Sequence, residues 1–303
     1  MQSLFAKTTM GVATLVAATL MTLTTSSAAE TIVRFPSAGQ EIVGTLETTE
    51  TATNAPIILM LHGFTGSRDE LHVKDTEEGV FSRMARQFAE RGFNSLRIDF
   101  RGSGDSAGDW ADTTFSSQIA DAASAIDWIK SQDEFMDSRV VVLGWSQGGL
   151  AAAHAVQENE LVDAVVLLAP VTHPLMTYSG LLGLDKVKAA LEEPADTPIT
   201  AQLPWGAETT LKAAFYQEMV RTFPVAAISG YPGPLLVVMG DRDQVVAPQP
   251  YAGEAWMNYH HGDEKLILLD TDHVWSAPEG PEVIDQQLVP EITAWIGNAL
   301  ATD

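Results

Sequence analysis

VVVLGWSQGGLAAAHAV, residues 140–156, runs from β-branched side chains through a glycine-fenced serine into an alanine-rich segment. The valines read as a buried strand and the alanines as a helix packed closely on its neighbours. Between them Gly144-Trp145-Ser146-Gln147-Gly148 fits G-x-S-x-G in the strand–turn–helix setting that gives the pattern chemical meaning. Glycines keep side chains out of a crowded turn, so the backbone can hold the Ser146 hydroxyl above a sheet. A structural serine in a tight connection is the alternative. The partners supplied by the rest of the chain decide between them.

Working outward, strand-like and helix-like stretches alternate. TIVRFP (31–36) and EIVGTLE (41–47) read as two short strands about a Ser37-Ala38-Gly39 turn. APIILMLHGF (55–64), FNSLRIDF (93–100), LVDAVVLLAP (161–170), PGPLLVVMG (232–240) and EKLILLD (264–270) are further strands. GVFSRMARQFAERG (79–92) has helical spacing and ends at a glycine suited to a C-cap. SSQIADAASAIDWIKSQ (116–132) places Ile119, Ala122, Ala123, Ile126 and Ile129 on one helical face, and VPEITAWIGNAL (289–300) is a terminal helix. Most strands are apolar throughout, which predicts a mostly parallel α/β sheet with helices on both faces. Such a sheet carries its working residues at the carboxyl ends of its strands. Residues 171–231 break the rhythm with five prolines and are too long for a plain loop, so a small inserted cap is expected there. The core is then 30–170 plus 232–303.

The 303 residues hold no cysteine and carry 17 Lys+Arg against 40 Asp+Glu, a formal charge of −23. That charge argues against nucleic acid or an anionic membrane as partner. Without thiols neither disulfides nor thiolate metal sites are available, so a large apolar core must stabilise the fold. Residues 1–29 have the form of a cleaved export signal: Lys7, a weakly apolar run from Met10 to Leu23, and Ser27-Ala28-Ala29 as a small-x-small cleavage site. The run is too short for the roughly 20 residues of a span, so no stable membrane anchor is expected. A periplasmic or extracellular location follows.

A serine hydroxyl needs a base. Of seven histidines, His154 lies two turns along the helix from Ser146, and His260 and His261 precede a strand at its amino end. His62 is better read as a brace of its own glycine-rich loop. His273 follows EKLILLD at the carboxyl end of the last strand and is the expected base. Its orienting acid should come from a strand end between serine and histidine. Asp243, three residues beyond Gly240, fits better than Asp241 or Asp272. Oxyanion donors are expected from the backbone N–H of Gln147, at the helix start, and of Phe64 in HGFTG (62–66). The loop DFRGSGDSAG (99–108) lacks a phosphate-loop lysine and reads as structural, with Arg101 and Asp105 tying a wall of the site.

LHGFTGSRDE, LRIDFRGSGDS, GWSQGG, VVLLAP, GDRDQVVAP and TDHVW, in that order, resemble the α/β-hydrolase superfamily over essentially the whole chain after the leader. The closer likeness is to bacterial feruloyl (cinnamoyl) esterases. The resemblance implies a Ser146–Asp243–His273 triad, an oxyanion hole at Phe64 and Gln147, and hydrolysis of small esters, feruloyl-type aromatic ones among them, through an acyl-enzyme, without metal or cofactor. Peptide or amide cleavage, lipid hydrolysis and acyl transfer are the other reactions this fold supports. The likeness also implies a cap that binds the acyl group, for which Tyr178, Trp205, Phe215 and Tyr216 could line an aromatic pocket and His173 could hold a phenol. Trp145 departs from the histidine usual in those esterases and is a further candidate for substrate contact.

Overall fold

The structure, a computed structural model, describes residues 29–49 and 54–301. The expected leader, residues 1–29, lies outside the described residues but for Ala29. Eight strands form one sheet: β1 (Ala29–Ser37), β2 (Gln40–Thr48), β3 (Ile57–Leu61), β4 (Asn94–Ile98), β5 (Val140–Trp145), β6 (Ala164–Leu168), β9 (Leu235–Gly240) and β10 (Glu264–Leu269). Their spatial order is β1-β2-β4-β3-β5-β6-β9-β10. The β1–β2 hairpin and the β2–β4 pair are antiparallel, and every pair from β4 to β10 is parallel. β3 through β6 and β9 are buried along their whole lengths, as strands covered on both faces must be. β10, at the edge, is only partly covered.

Two apolar cores lie on opposite faces. One packs Phe81, Met84 and Phe88 of α1 (Val80–Glu90) with Ile292 and Ile296 of α9 (Val289–Ala299). Full burial of a phenylalanine such as Phe81 contributes about 1.5–3 kcal/mol. The other packs α2 (Phe115–Ser131), α3 (Gln147–Ala155) and Trp256 of α8 (Tyr251–Tyr259). Gly92, at φ 87°, takes the left-handed position that stops α1. The buried face of α2 differs from the purely apolar one expected. Gln118 and Asp121 are buried beside Ala122, Ala125, Ile126 and Ile129, while Ile119 and Ala123 are only partly covered. Both polar residues are drawn inward by partners beyond the carboxyl ends of the strands, Gln147 for Gln118 and Arg101 for Asp121.

Between β6 and β9 the chain forms α4 (Pro174–Leu182), α5 (Leu184–Ala190), the hairpin β7 (Pro198–Gln202)–β8 (Glu208–Lys212), α6 (Ala213–Glu218) and α7 (Pro224–Ile228). The hairpin was not anticipated. Its strands flank Pro204-Trp205-Gly206, with Gly206 at φ 89° making the turn. α7 already packs on α3 and α8, so the helical layer of the core resumes before residue 231.

Candidate active site

Ser146 stands where β5 meets α3, at φ 54° and ψ −113°, a conformation that side chains rarely accept. Crowding on every side explains the glycines around it. A Cβ on Gly144 would lie 2.3 Å from the Gly148 carbonyl oxygen, and one on Gly148 only 2.0 Å from that of Leu61. One on Gly149 would lie 2.7 Å from Pro170 Cβ. The serine N–H donates to the Leu168 carbonyl at 2.9 Å, which ties the turn to β6.

His273 and Asp243 arrive from the ends of β10 and β9. His273 Nε2 is 3.0 Å from Ser146 Oγ, and its Nδ1 is 2.7 Å from Asp243 Oδ2. Asp243 is 1% exposed, and its other oxygen accepts the Val245 and Val246 N–H groups at 2.7 and 2.9 Å. A carboxylate opposite Nδ1 places the imidazole proton there, leaving Nε2 to accept from the serine. The rival acids are otherwise engaged. Asp272 accepts the Val274 and Ser276 N–H groups in its own turn, and Asp241 is exposed beside Arg242.

Peptide planarity aims the two expected oxyanion donors. The Gly63 carbonyl accepts from His62 Nδ1–H at 2.8 Å and from Gly66 N–H at 3.2 Å. Phe64 N–H belongs to the same trans peptide and points the opposite way. The Ser146 carbonyl likewise accepts from Gly149, Leu150 and Val171 at 3.1, 3.3 and 3.0 Å, so Gln147 N–H leaves the amino end of α3 on the far side. Among the described residues neither N–H meets an acceptor. His62 is the brace expected of it. Its Nε2 accepts Phe100 N–H at 3.1 Å, and burial pushes its pKa down, keeping the ring neutral.

A cavity of about 680 Å³ opens over Ser146 and His273. Phe64, Trp145, Leu181, Trp205 and Val245 supply much of its apolar wall. Trp205, from the β7–β8 turn, thus borders the cavity as expected. Trp145 also borders the cavity, yet it is 3% exposed and its indole N–H donates to the His273 carbonyl at 3.2 Å. The other three expected contacts sit elsewhere. His173 is exposed and caps α4, its Nδ1 accepting Met176 N–H. Tyr216 is buried beside Phe215, away from this wall. Tyr178 is fully buried and donates to Gln147 Oε1, while Gln147 Nε2 donates to Gln118 Oε1 at 2.6 Å. These aromatics form cap core with Phe64 and Phe115. They face inward because an inserted segment this small needs its large side chains for its own packing. Arg101 and Asp105 do tie the wall, each to a different partner: Arg101 to buried Asp121 at 2.5 Å, and Asp105 to Arg68 at 2.7 Å.

Sequence reasoning passed over Gln118 and Glu70. A buried glutamine inside an apolar helix face was a readable signal for the first. Nothing in the local pattern marks Glu70, which also borders the cavity.

A family model for the alpha/beta hydrolase fold matches residues 56–192, the oxyanion loop and the serine turn included. The eight-stranded sheet supplies the rest of the pattern. The chain has the α/β-hydrolase fold. Est1E from Butyrivibrio proteoclasticus, solved with ferulic acid bound, superposes on this chain with a TM-score of 0.70 at 22% identity. That similarity covers 89% of this chain and 100% of Est1E. The quorum-quenching protein AidA of Acinetobacter baumannii is 29% identical over 233 residues, 65% of this chain and 73% of its own. An uncharacterized 31.7 kDa protein of Escherichia coli is 30% identical over 111 residues, so the match spans only 36% of that relative's length. Asp243 and His273 fall beyond the family match, and it is the sheet that delivers them to Ser146.

Proposed function

We propose that this α/β-hydrolase is a serine carboxylic ester hydrolase that works through an acyl-enzyme on small esters. The observation that carries the proposal is the unbroken line Ser146 Oγ–His273 Nε2 at 3.0 Å and His273 Nδ1–Asp243 Oδ2 at 2.7 Å. As Ser146 attacks the ester carbonyl, its proton passes to Nε2, and Asp243 stabilises the imidazolium without taking the proton. The Phe64 and Gln147 amides receive the oxyanion. The alcohol leaves with the proton from Nε2, and a water deprotonated by the same nitrogen then cleaves the acyl-enzyme.

An aromatic acyl group of the feruloyl kind is the preferred substrate under this proposal. The Phe64, Trp145 and Trp205 wall and the fold shared with Est1E support it. Export by a cleaved leader is part of the same proposal, and N-terminal sequencing of the mature protein tests it. For the chemistry, Ser146→Ala should abolish turnover of p-nitrophenyl acetate and labelling by a fluorophosphonate while the melting temperature holds. An active Ser146→Ala enzyme would sink the assignment. Feruloyl, long-chain acyl and aminoacyl substrates compared side by side separate the esterase from a lipase or an amidase.

A further inference from the structure

Glu70 borders the cavity over Ser146, and among the described residues His273 is the only other ionisable side chain in that lining. The proposed mechanism gives it no part. Its backbone is pinned on both sides: Phe81 N–H donates to the Asp69 carbonyl at 3.0 Å, and Val80 N–H to that of Leu71 at 2.9 Å. The first turn of α1 thus fixes the segment, and Glu70 itself sits at φ 61° with its N–H on the Ser67 carbonyl at 3.0 Å. From this anchored position the side chain reaches back to the oxyanion loop. Its Oε1 accepts the Gly63 N–H, and both carboxyl oxygens lie 2.8 Å from where a Cβ on Gly66 would stand. Gly63 and Gly66 leave the space that the carboxyl fills.

We propose that Glu70 is a positioning residue for the oxyanion hole, holding the N–H of Gly63 while His62 and Gly66 hold its carbonyl. With both ends fixed, the Phe64 N–H cannot swing away from a developing oxyanion. Preorganisation of this kind acts on the transition state far more than on the bound substrate.

The protonation state of Glu70 follows from its surroundings. The neighbouring charges are turned elsewhere: Arg68 to Asp99 and Asp105, Asp69 to Arg97, and His273 to Asp243. Burial pushes the carboxyl up to about 8, against the opposing pull of the Gly63 and Leu71 amides. The neutral acid, which that shift favours, accepts the Gly63 N–H without setting a negative charge beside the oxyanion. Once ionised, it opposes that charge.

The inference rests on Ser146 as the nucleophile, which wild-type turnover and fluorophosphonate labelling test on their own. An inactive wild type would overturn that assignment. An active wild type with indifferent Glu70 variants overturns only the inference. The experiment measures kcat and KM for p-nitrophenyl acetate from pH 6 to 10 in wild type, Glu70→Ala and Glu70→Gln, with melting temperatures. At pH 7 Glu70→Ala should lose roughly 10- to 100-fold in kcat, less than outright removal of an oxyanion donor costs, with KM nearly unchanged. Glu70→Gln, a neutral isostere that still accepts the Gly63 N–H, should recover most of that loss. It should also lack the fall in kcat that the wild type shows as pH rises through about 8. If Glu70→Ala does not fold, the comparison of wild type with Glu70→Gln decides, and coincident pH profiles overturn the proposal. So does a folded Glu70→Ala with wild-type kcat.

Discussion

Replacing Asp243 by asparagine is the sharpest test of the proposed relay, because the hydrogen bonds dictate how the new amide must sit. Oδ1 of Asp243 accepts two backbone N–H groups, from Val245 and Val246. An NH2 there would face two donors, so the amide oxygen has to keep that position and the NH2 turns to where Oδ2 met His273. Nδ1 of His273 must then accept, which moves its proton to Nε2, 3.0 Å from Ser146 Oγ. The base now presents a hydrogen where it needs a lone pair. Loss of this tautomer control costs about 10⁴ in kcat where it has been isolated in serine proteases, or about 5 kcal/mol of transition-state stabilisation. The fold should survive, since both amide contacts persist and a buried charge is removed. Purified Asp243→Asn, assayed with p-nitrophenyl acetate beside the wild type, should therefore be nearly inert at an almost unchanged melting temperature. Activity within 10-fold of wild type would refute the reasoning. It would mean that the Asp243 hydrogen bond does not set the imidazole proton.

Three further outcomes test the scaffold. Tyr178→Phe strands Gln147 Oε1 in a buried site, and urea unfolding should show a loss of about 1–3 kcal/mol. Gly148→Ala would drive a Cβ to 2.0 Å from the Leu61 carbonyl oxygen. It should cost about 3 kcal/mol or more, seen as a large drop in urea midpoint or in soluble yield. For His62 the folded pKa is depressed by burial, so below about 6.5 the unfolded chain binds a proton that the native ring refuses. Its contribution to stability is complete above that pH and is lost as pH falls toward the folded pKa. The His62 ring resonances should show no titration near pH 6.5, and the urea midpoint should decline below it.

The Ser146–His273–Asp243 arrangement was legible because it needs only chain order and strand ends. Ser146 lies in a turn whose glycines are required, and Asp243 and His273 each follow an apolar strand by a few residues. A parallel sheet brings such positions to one edge whatever lies between them. His62 was legible for a similar local reason, standing inside the loop it braces. The aromatic candidates failed because composition cannot say which way a side chain faces in a segment that must also build its own core. Tyr178 and Tyr216 turned inward, whereas Trp205, exposed in a hairpin turn, stayed on the cavity. Glu70 was invisible for another reason. Its proposed role depends on a left-handed backbone, an anchor on α1 and the space that Gly66 leaves for its carboxyl, three conditions that appear only in the folded chain.

Trp145 shows how one side chain can belong to both the fold and the site. Its ring packs against Phe81 of α1 on the buried side of the sheet, at a centroid distance of 6.1 Å. Its N–H holds the carbonyl of His273, and part of its edge borders the cavity. Trp145, next to Ser146, thus ties the His273 loop to the serine turn, with Phe81 of α1 behind it. A shorter side chain at 145 would enlarge the cavity and release the His273 carbonyl together. Changes in acyl preference at this position must therefore come with changes in kcat, whereas at Trp205, exposed on its turn and outside that linkage, the two can change separately.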